Sequence, residues 1–252
     1  GPTVRPSPSI TAEPTPIDNS VGAAAVVVPL RSAELATRIS GVVASIYVHN
    51  GSPVEDGQLL LKLEQKTYQD AIDVAQSRVD QAGRAVELAR LQVEQLPLDA
   101  SPGQIEFVQA SLRLAEADLD LAESRLREAQ TALTQTEIRA PFAGTVASVD
   151  IELGEQALAG QAVITVGDQS GWLIETTDLS ELEVVRIAVG DRATVALDAL
   201  PELVVNGTVE RIQVRGTNDD GGVVFAVSIR PDIHHSELRW GLTATVRIAP
   251  SG

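Results

Sequence analysis

Apolar residues recur at alternating steps of four and three along two stretches of the chain. The first runs Tyr68, Ile72, Ala75, Val79, Ala82, Val86, Ala89, Val93 and Leu96; the second runs Ile105, Val108, Leu112, Ala115, Leu119, Ala122, Leu126, Ala129 and Leu133. A mean step of 3.5 residues keeps one stripe of a helix facing a partner, so the spacing predicts an antiparallel coiled coil over residues 65–135. Pro97 closes the first arm, and Ser101-Pro102-Gly103-Gln104 reads as a capping box with proline in the first turn, which opens the second. If positions whose numbers add to 201 face each other, Ala89 meets Leu112, Val86 meets Ala115, Ala82 meets Leu119, Val79 meets Ala122, Ala75 meets Leu126 and Ile72 meets Ala129. Each alanine then opposes a larger side chain, and layer volumes stay even. At 1.5 Å per residue, the arm from Tyr68 to Leu96 spans about 42 Å. Asp80/Arg84 and Glu123/Arg127, acid before base at i,i+4, fall on the solvated faces.

On either side of the arms the period becomes two. Gly41 to Leu63 (GVVASIYVHNGSPVEDGQLLLKL) returns without a gap as Gly144 to Val166 (GTVASVDIELGEQALAGQAVITV), every pair offset by 103 positions. Gly51/Gly154 and Gly57/Gly160 stay in register at turn positions, which predicts two strand-turn-strand halves, 39–64 and 136–169, whose open faces cover each other. From 170 to 250 short β-branched runs follow: Trp172–Glu175, Arg192–Leu197, Gly207–Ile212, Val223–Ile229 and Leu242–Ile248. One short helix is expected over Leu179–Ile187, capped by Asp178 or Ser180. These describe a small β-barrel, to which residues 22–38 add a strand. Residues 1–21, rich in Pro, Ser and Thr, read as an extended linker. The expected fold is mostly β, elongated, with a β-sandwich split by a long helical hairpin and a barrel beside it.

Acidic residues outnumber basic ones 35 to 19, a net charge of −16 that argues against nucleic acid as a partner. Without cysteine, disulfides and thiolate metal sites are excluded. No phosphate-cradling glycine loop or nucleophile elbow occurs, so no catalytic residue, cofactor or metal is expected. His234-His235 lies on a polar turn with no third ligand in view, and Asp219-Asp220-Gly221-Gly222 reads as a hairpin turn rather than a calcium loop. Asn206-Gly207-Thr208 fits either a glycosylation acceptor or a type I′ turn. No apolar run reaches the length of a membrane span. The Gly1-Pro2 start and the lack of methionine resemble a protease scar, which gives the expectation that an amino-terminal signal or anchor was removed.

The two halves, with Lys62-Leu63-Glu64 ending the first and Thr136-Glu137-Ile138-Arg139-Ala140-Pro141 opening the second, resemble a biotinyl/lipoyl domain whose central hairpin is replaced by the helical insertion. With the barrel segments Val189-Gly190-Asp191-Arg192-Ala193 and Trp240 to Val246, the chain from Val26 to Ile248 resembles the membrane-fusion or periplasmic adaptor proteins of efflux pumps and type I secretion systems. The resemblance implies a non-catalytic subunit of the cell envelope, anchored outside the cytoplasm. It would link a cytoplasmic-membrane transporter, ABC-type or proton-driven, to an exit partner, and would self-associate in a hexameric ring. An outer-membrane channel is a candidate exit partner. Such adaptors carry at the hairpin tip an Arg, a Leu four residues on and a Ser seven further; this chain has Arg90, Glu94 and Ser101 there, so the leucine is missing. Leu96 and Leu98 are the apolar groups of the tip, and these five residues form the candidate partner-binding site. The competing readings are a biotin or lipoate carrier, for which Lys62 and Lys66 are the only lysines, and a ligand-binding receptor domain.

Overall fold

The computed structural model describes residues 20–219, 222–233 and 237–251. Residues 1–19 of the expected linker and the His234-His235 pair lie outside the described residues. The elements begin with β1 (Val21–Pro29), β2 (Ser32–Ala36), β3 (Gly41–Ile46), β4 (Pro53–Val54) and β5 (Leu59–Leu63), followed by α1 (Lys66–Glu94) and α2 (Pro102–Thr134). Then come β6 (Glu137–Arg139), β7 (Gly144–Val149), β8 (Gln156–Ala157), β9 (Ala162–Gly167), β10 (Trp172–Thr176), β11 (Leu179–Ser180) and α3 (Glu181–Val184). The last are β12 (Arg192–Leu197), β13 (Leu200–Ile212), β14 (Thr217–Asp219), β15 (Gly222–Phe225), β16 (Val227–Pro231) and β17 (Thr243–Ala249). The chain divides into two compact units, one from residues up to Leu30 together with Gly171 onward, the other Arg31–Ser170.

The first unit is a closed barrel in the order β1-β10-β16-β13-β12-β17, all neighbours antiparallel. Its strands alternate buried and exposed side chains, as in β12, where Ala193, Val195 and Leu197 point inward. Ile174, Val205, Ile229, Val246 and Ile248 complete the sealed interior. Three expectations change here. The run Val223–Ile229 is broken at Ala226 into β15, which pairs with β11 and β14, and β16, which enters the barrel. The helix expected over Leu179–Ile187 shortens to the four residues of α3, because Leu179 is taken into a bridge with Phe225 and Ile187 is buried in the barrel core. The β-branched Val184 and Val185 between them favour helix poorly. Asn206-Gly207 is no turn: both lie inside β13, opposite Thr194 and Ala193. Gly207 is there because a Cβ would stand 2.6 Å from the Arg230 carbonyl oxygen on β16.

The second unit holds two four-stranded sheets, β2-β9-β7-β4 and β6-β5-β3-β8. Each takes its last strand from the other copy of the repeat: β4 pairs with β7, and β8 with β3. The bonds between the copies come in matched pairs. Gly51 N–H donates to the Val146 carbonyl at 2.8 Å and Gly154 N–H to Val43 at 2.9 Å; Gly57 donates to Ala140 at 2.8 Å and Gly160 to Thr37 at 2.7 Å. All four glycines have φ between 75° and 85°, the left-handed region that glycine adopts without strain. The assignment of 22–38 to the barrel is corrected by this pairing. β1 joins the barrel, but β2 leaves it and pairs with β9. β2 occupies the place that β6 has in the other sheet, so the repeat begins further upstream than Gly41, with Leu35 matching Ile138.

Candidate partner-binding site

The elements that present the site start at the mouth of the sandwich. Gln65, just before α1, donates through Nε2 to the Thr136 hydroxyl at 2.6 Å and to the Glu137 carboxylate at 3.3 Å. Thr136, just after α2 and wholly buried, donates its hydroxyl proton back to the Leu133 carbonyl at 2.6 Å. The guanidinium of Arg139, 2.7 Å from Glu137, and the Gln65 amide hold the Glu137 carboxyl below its ordinary range despite partial desolvation. Both helix ends are thereby fixed to one spot on the sandwich.

Beyond that junction, α1 and α2 pack on each other. Every apolar position of the α1 heptads is buried or half-buried, and on α2 the same holds for all but Ile105 near the start. Val86, Ala89 and Ala122 are the most deeply covered. On the outer faces Glu123 and Arg127 approach to 3.9 Å, whereas Asp80 accepts a bond from Gln76 at 3.0 Å instead of pairing with Arg84. The amide one turn earlier offers a shorter reach than the arginine.

The candidate residues cluster at the far end. Arg90 is an exposed residue of α1, and Glu94 is its last residue. The helix ends as the Gln95 N–H bonds the Leu91 carbonyl at 3.0 Å and the Leu96 N–H bonds that of Val93 at 3.3 Å; Leu96 is half-buried. Pro97 to Ala100 forms a tight turn, closed by a 3.0 Å bond from the Ala100 N–H to the Pro97 carbonyl. Leu98 and Asp99 hold its two central positions, and Leu98 is fully exposed at 110%. Ser101 caps α2: its N–H donates to the Gln104 side-chain oxygen at 2.9 Å, and its hydroxyl faces the Gln104 N–H at 3.4 Å. Ser101 therefore has a structural task, and Leu98 has no partner to pack against.

Lys62 lies inside β5, paired with Ser45 and Glu137, and Lys66 opens α1, 3.4 Å from Asp70. Neither lysine of the chain stands on a tight turn, where a carried biotin or lipoate would be attached.

The CzcB-like, barrel-sandwich hybrid domain matches residues 31–168, more than half of the chain. The chain belongs to that family. Among solved structures, the membrane fusion protein Spr0693 of Streptococcus pneumoniae R6 has a similar fold, with TM-score 0.75 and 19% identity over 92% of this chain and 100% of that one. A MacA-MexA chimera carrying the Pseudomonas aeruginosa MexA α-hairpin domain superposes with TM-score 0.74 and 22% identity, over 93% and 83% of the two chains. In sequence, the cation efflux system protein CzcB of Alcaligenes sp. is 27% identical over 188 residues, 72% of this chain and 36% of CzcB. The chain spans about three-fifths or less of the length of the curated relatives it matches. The chain thus carries the CzcB-like barrel-sandwich hybrid domain and shares the fold of these two solved structures. Among its described residues no helix is long and apolar enough to cross a membrane.

The expected site did not include the exposed apolar side chains on the flanks of the two helices: Val74, Leu88 and Leu91 on α1, and Phe107, Leu114 and Leu121 on α2. The signal for them is in the sequence, since each follows a core position by two residues.

Proposed function

We propose that this chain is the non-catalytic adaptor of an envelope export system. Tethered to the cytoplasmic membrane, it joins a transporter there, driven by ATP or by protons, to an exit partner, and assembles as a ring of six. Residues 32–64 and 136–169 serve as lipoyl-like halves, 65–135 as a helical hairpin, and 170–250 together with β1 as the barrel. In this reading α1 and α2 form an antiparallel coiled coil in the register that adds to 201, which carries the turn Pro97–Ala100 about 40 Å from the sandwich.

One observation supports docking through that turn above the others: Leu98, with 110% exposure, sits in the turn between the end of α1 and the capping box of α2, beside Asp99 and four residues from Glu94. An exposed leucine at a rigid tip gains about 1.5–3 kcal/mol when a partner covers it, while Ser101 is engaged in capping. With Glu94 where related tips carry leucine, the apolar contact shifts to Leu98. The exit partner is an outer-membrane channel or an equivalent conduit that receives this leucine.

Leu98→Asp tests the proposal. Export in the parent organism should be lost, while the circular dichroism and melting temperature of the purified chain stay within error of wild type. Normal export by a stably expressed Leu98→Asp chain would mean that the tip is not the docking surface.

A further inference from the structure

Among the described residues, each sheet of the second unit ends in a strand with a single neighbour: β2 pairs with β9 alone, and β6 with β5 alone. These two strands are equivalents in the repeat. Their matched triplets, Glu34, Leu35, Ala36 and Glu137, Ile138, Arg139, line one cavity of about 410 Å³, which therefore lies where the two copies meet. Thr134 and Gln135, at the end of α2, complete the lining on the helical side.

Both strands leave backbone groups open. Along β2 the Arg31 carbonyl accepts from the Asp168 N–H at 2.8 Å, and just past the strand the Thr37 N–H donates to the Gln161 carbonyl at 3.1 Å. Bonded residues alternate in an antiparallel ladder, so Arg31, Ala33, Leu35 and Thr37 face β9, while the N–H and C=O groups of Ser32, Glu34 and Ala36 point away from it. On β6 the Thr136 carbonyl accepts from the Leu63 N–H and the Ala140 N–H donates to the Gln58 carbonyl, both at 2.9 Å. Ile138 faces β5 with them, and Glu137 and Arg139 turn outward. Two rows of unpaired backbone groups on one cavity are a template for an added strand.

The charges of the cavity are uneven. Arg139 is engaged by Glu137 at 2.7 Å and by the Gly57 carbonyl at 2.9 Å, and its equivalent in the other copy is Ala36. Arg38 lines the same cavity and is exposed; among the described residues neither it nor Glu34 enters an ion pair or a side-chain hydrogen bond. A guanidinium fork next to open strand edges matches the carboxylate that ends an extended chain, whose two oxygens accept paired bonds. Glu34, four residues earlier, offers its own carboxylate to a basic side chain upstream of that terminus.

We propose that this cavity captures the carboxyl-terminal tail of a partner protein as an added strand. The tail lies extended along the edges of β2 and β6, its terminal carboxylate on Arg38 and a basic side chain against Glu34. The volume suits such a tail, since it holds about three residues of extended chain, a span of about 10 Å. The site involves no residue of the helical turn at Leu98 and goes beyond the adaptor reading.

The probe is the tetrapeptide acetyl-Lys-Val-Thr-Val, as the free acid and as its carboxyl-terminal amide, titrated into the isotope-labelled chain and followed by amide chemical shifts. The shifts should centre on Ser32, Glu34, Ala36, Glu137 and Arg139. The acid should bind about ten-fold more tightly than the amide, the worth of one charge-assisted pair, and Arg38→Ala should bring the acid down to the amide. Ala36→Pro removes an outward N–H and no bond to β9, so it should weaken the acid at least about five-fold at an unchanged melting temperature; if that variant misfolds, the acid-to-amide ratio in wild type and Arg38→Ala still decides. Equal binding of acid and amide would overturn the proposal, as would acetyl-valine binding as tightly as the tetrapeptide, which would mean a simple anion site. Shifts elsewhere, or none at millimolar peptide, would overturn it too. None of these outcomes touches the adaptor reading, which the Leu98→Asp export assay tests separately.

Discussion

The repeat supplies its own control for one packing prediction. Gly41 and Gly144 are equivalent positions, each the first residue of the strand that pairs with the other copy's short strand. A Cβ at Gly144 would stand 2.5 Å from the Gly167 carbonyl oxygen and 3.0 Å from its carbon, both backbone atoms of β9. Since ordinary C···O contacts lie near 3.3 Å, β7 and β9 would have to separate by about 0.8 Å at this point. A Cβ at Gly41 meets the Leu63 side chain at 3.3 Å, and a leucine branch can turn aside. Overpacking a tight site costs about 1–3 kcal/mol, while replacing glycine by alanine recovers about 0.4–1 kcal/mol by restricting the unfolded chain. Gly144→Ala should therefore destabilise by about 1–2 kcal/mol, and Gly41→Ala should lie near zero. For a chain of this size the first corresponds to a melting temperature lowered by about 2–8 °C. Circular dichroism at 222 nm is a suitable probe, because α1 and α2 belong to the same unit as both glycines. Equal shifts for the two variants would refute the reasoning, since it rests on backbone meeting Cβ at one site and a side chain at the other.

Ala82→Leu should place two leucines in the layer with Leu119 and cost about 1–3 kcal/mol; a disulfide between cysteines at 82 and 119, with none between 82 and 126, checks the register. Replacing Lys66–Thr134 by a short glycine-containing turn should leave the sandwich folded, because the bonds between the copies do not involve the helices; an amide spectrum confined to unfolded shifts would contradict this. Asp191 is buried and accepts bonds from the Ser251 hydroxyl at 2.6 Å and the Ala188 N–H at 2.7 Å, which hold its carboxyl below the ordinary range. A lowered folded pKa contributes stability that is present above the unfolded value, about pH 3.9, and is lost as the pH falls through the folded one. Urea denaturation followed by Trp172 and Trp240 fluorescence should show a steeper acid decline for the wild type than for Asp191→Asn, and parallel curves would count against the assignment.

The heptads and the repeat were the parts of the fold most open to reading, because each depends on residues that face one another at a fixed interval. Elements defined by a distant neighbour were not. Nothing local tells β2 from an extension of β1, and only the match of Leu35 with Ile138 at the repeat's own offset assigns it to the sandwich. Asn206-Gly207 carries the local chemistry of a turn, yet the glycine answers to the Arg230 carbonyl on another strand. At the candidate site, the capping role of Ser101 was legible from its spacing to Gln104, and the exposure of Leu98 from its place beside Pro97. The exposed flanking side chains of Phe107, Leu114 and Leu121 went unread because the stronger core period beside them explained the helices by itself.

The bond from Gln65 to Thr136 joins residues 71 positions apart, and this has a bearing on the order in which the chain folds. The sandwich must bring together halves that an unstructured loop of that length would keep apart at an entropic cost of about 4 kcal/mol. Helices form and pair through local contacts far faster than distant strands find each other. Once α1 has folded back on α2, their ends already lie side by side and most of that search is over. The helix pair inserted between the two β halves is also the splint that aligns them during folding.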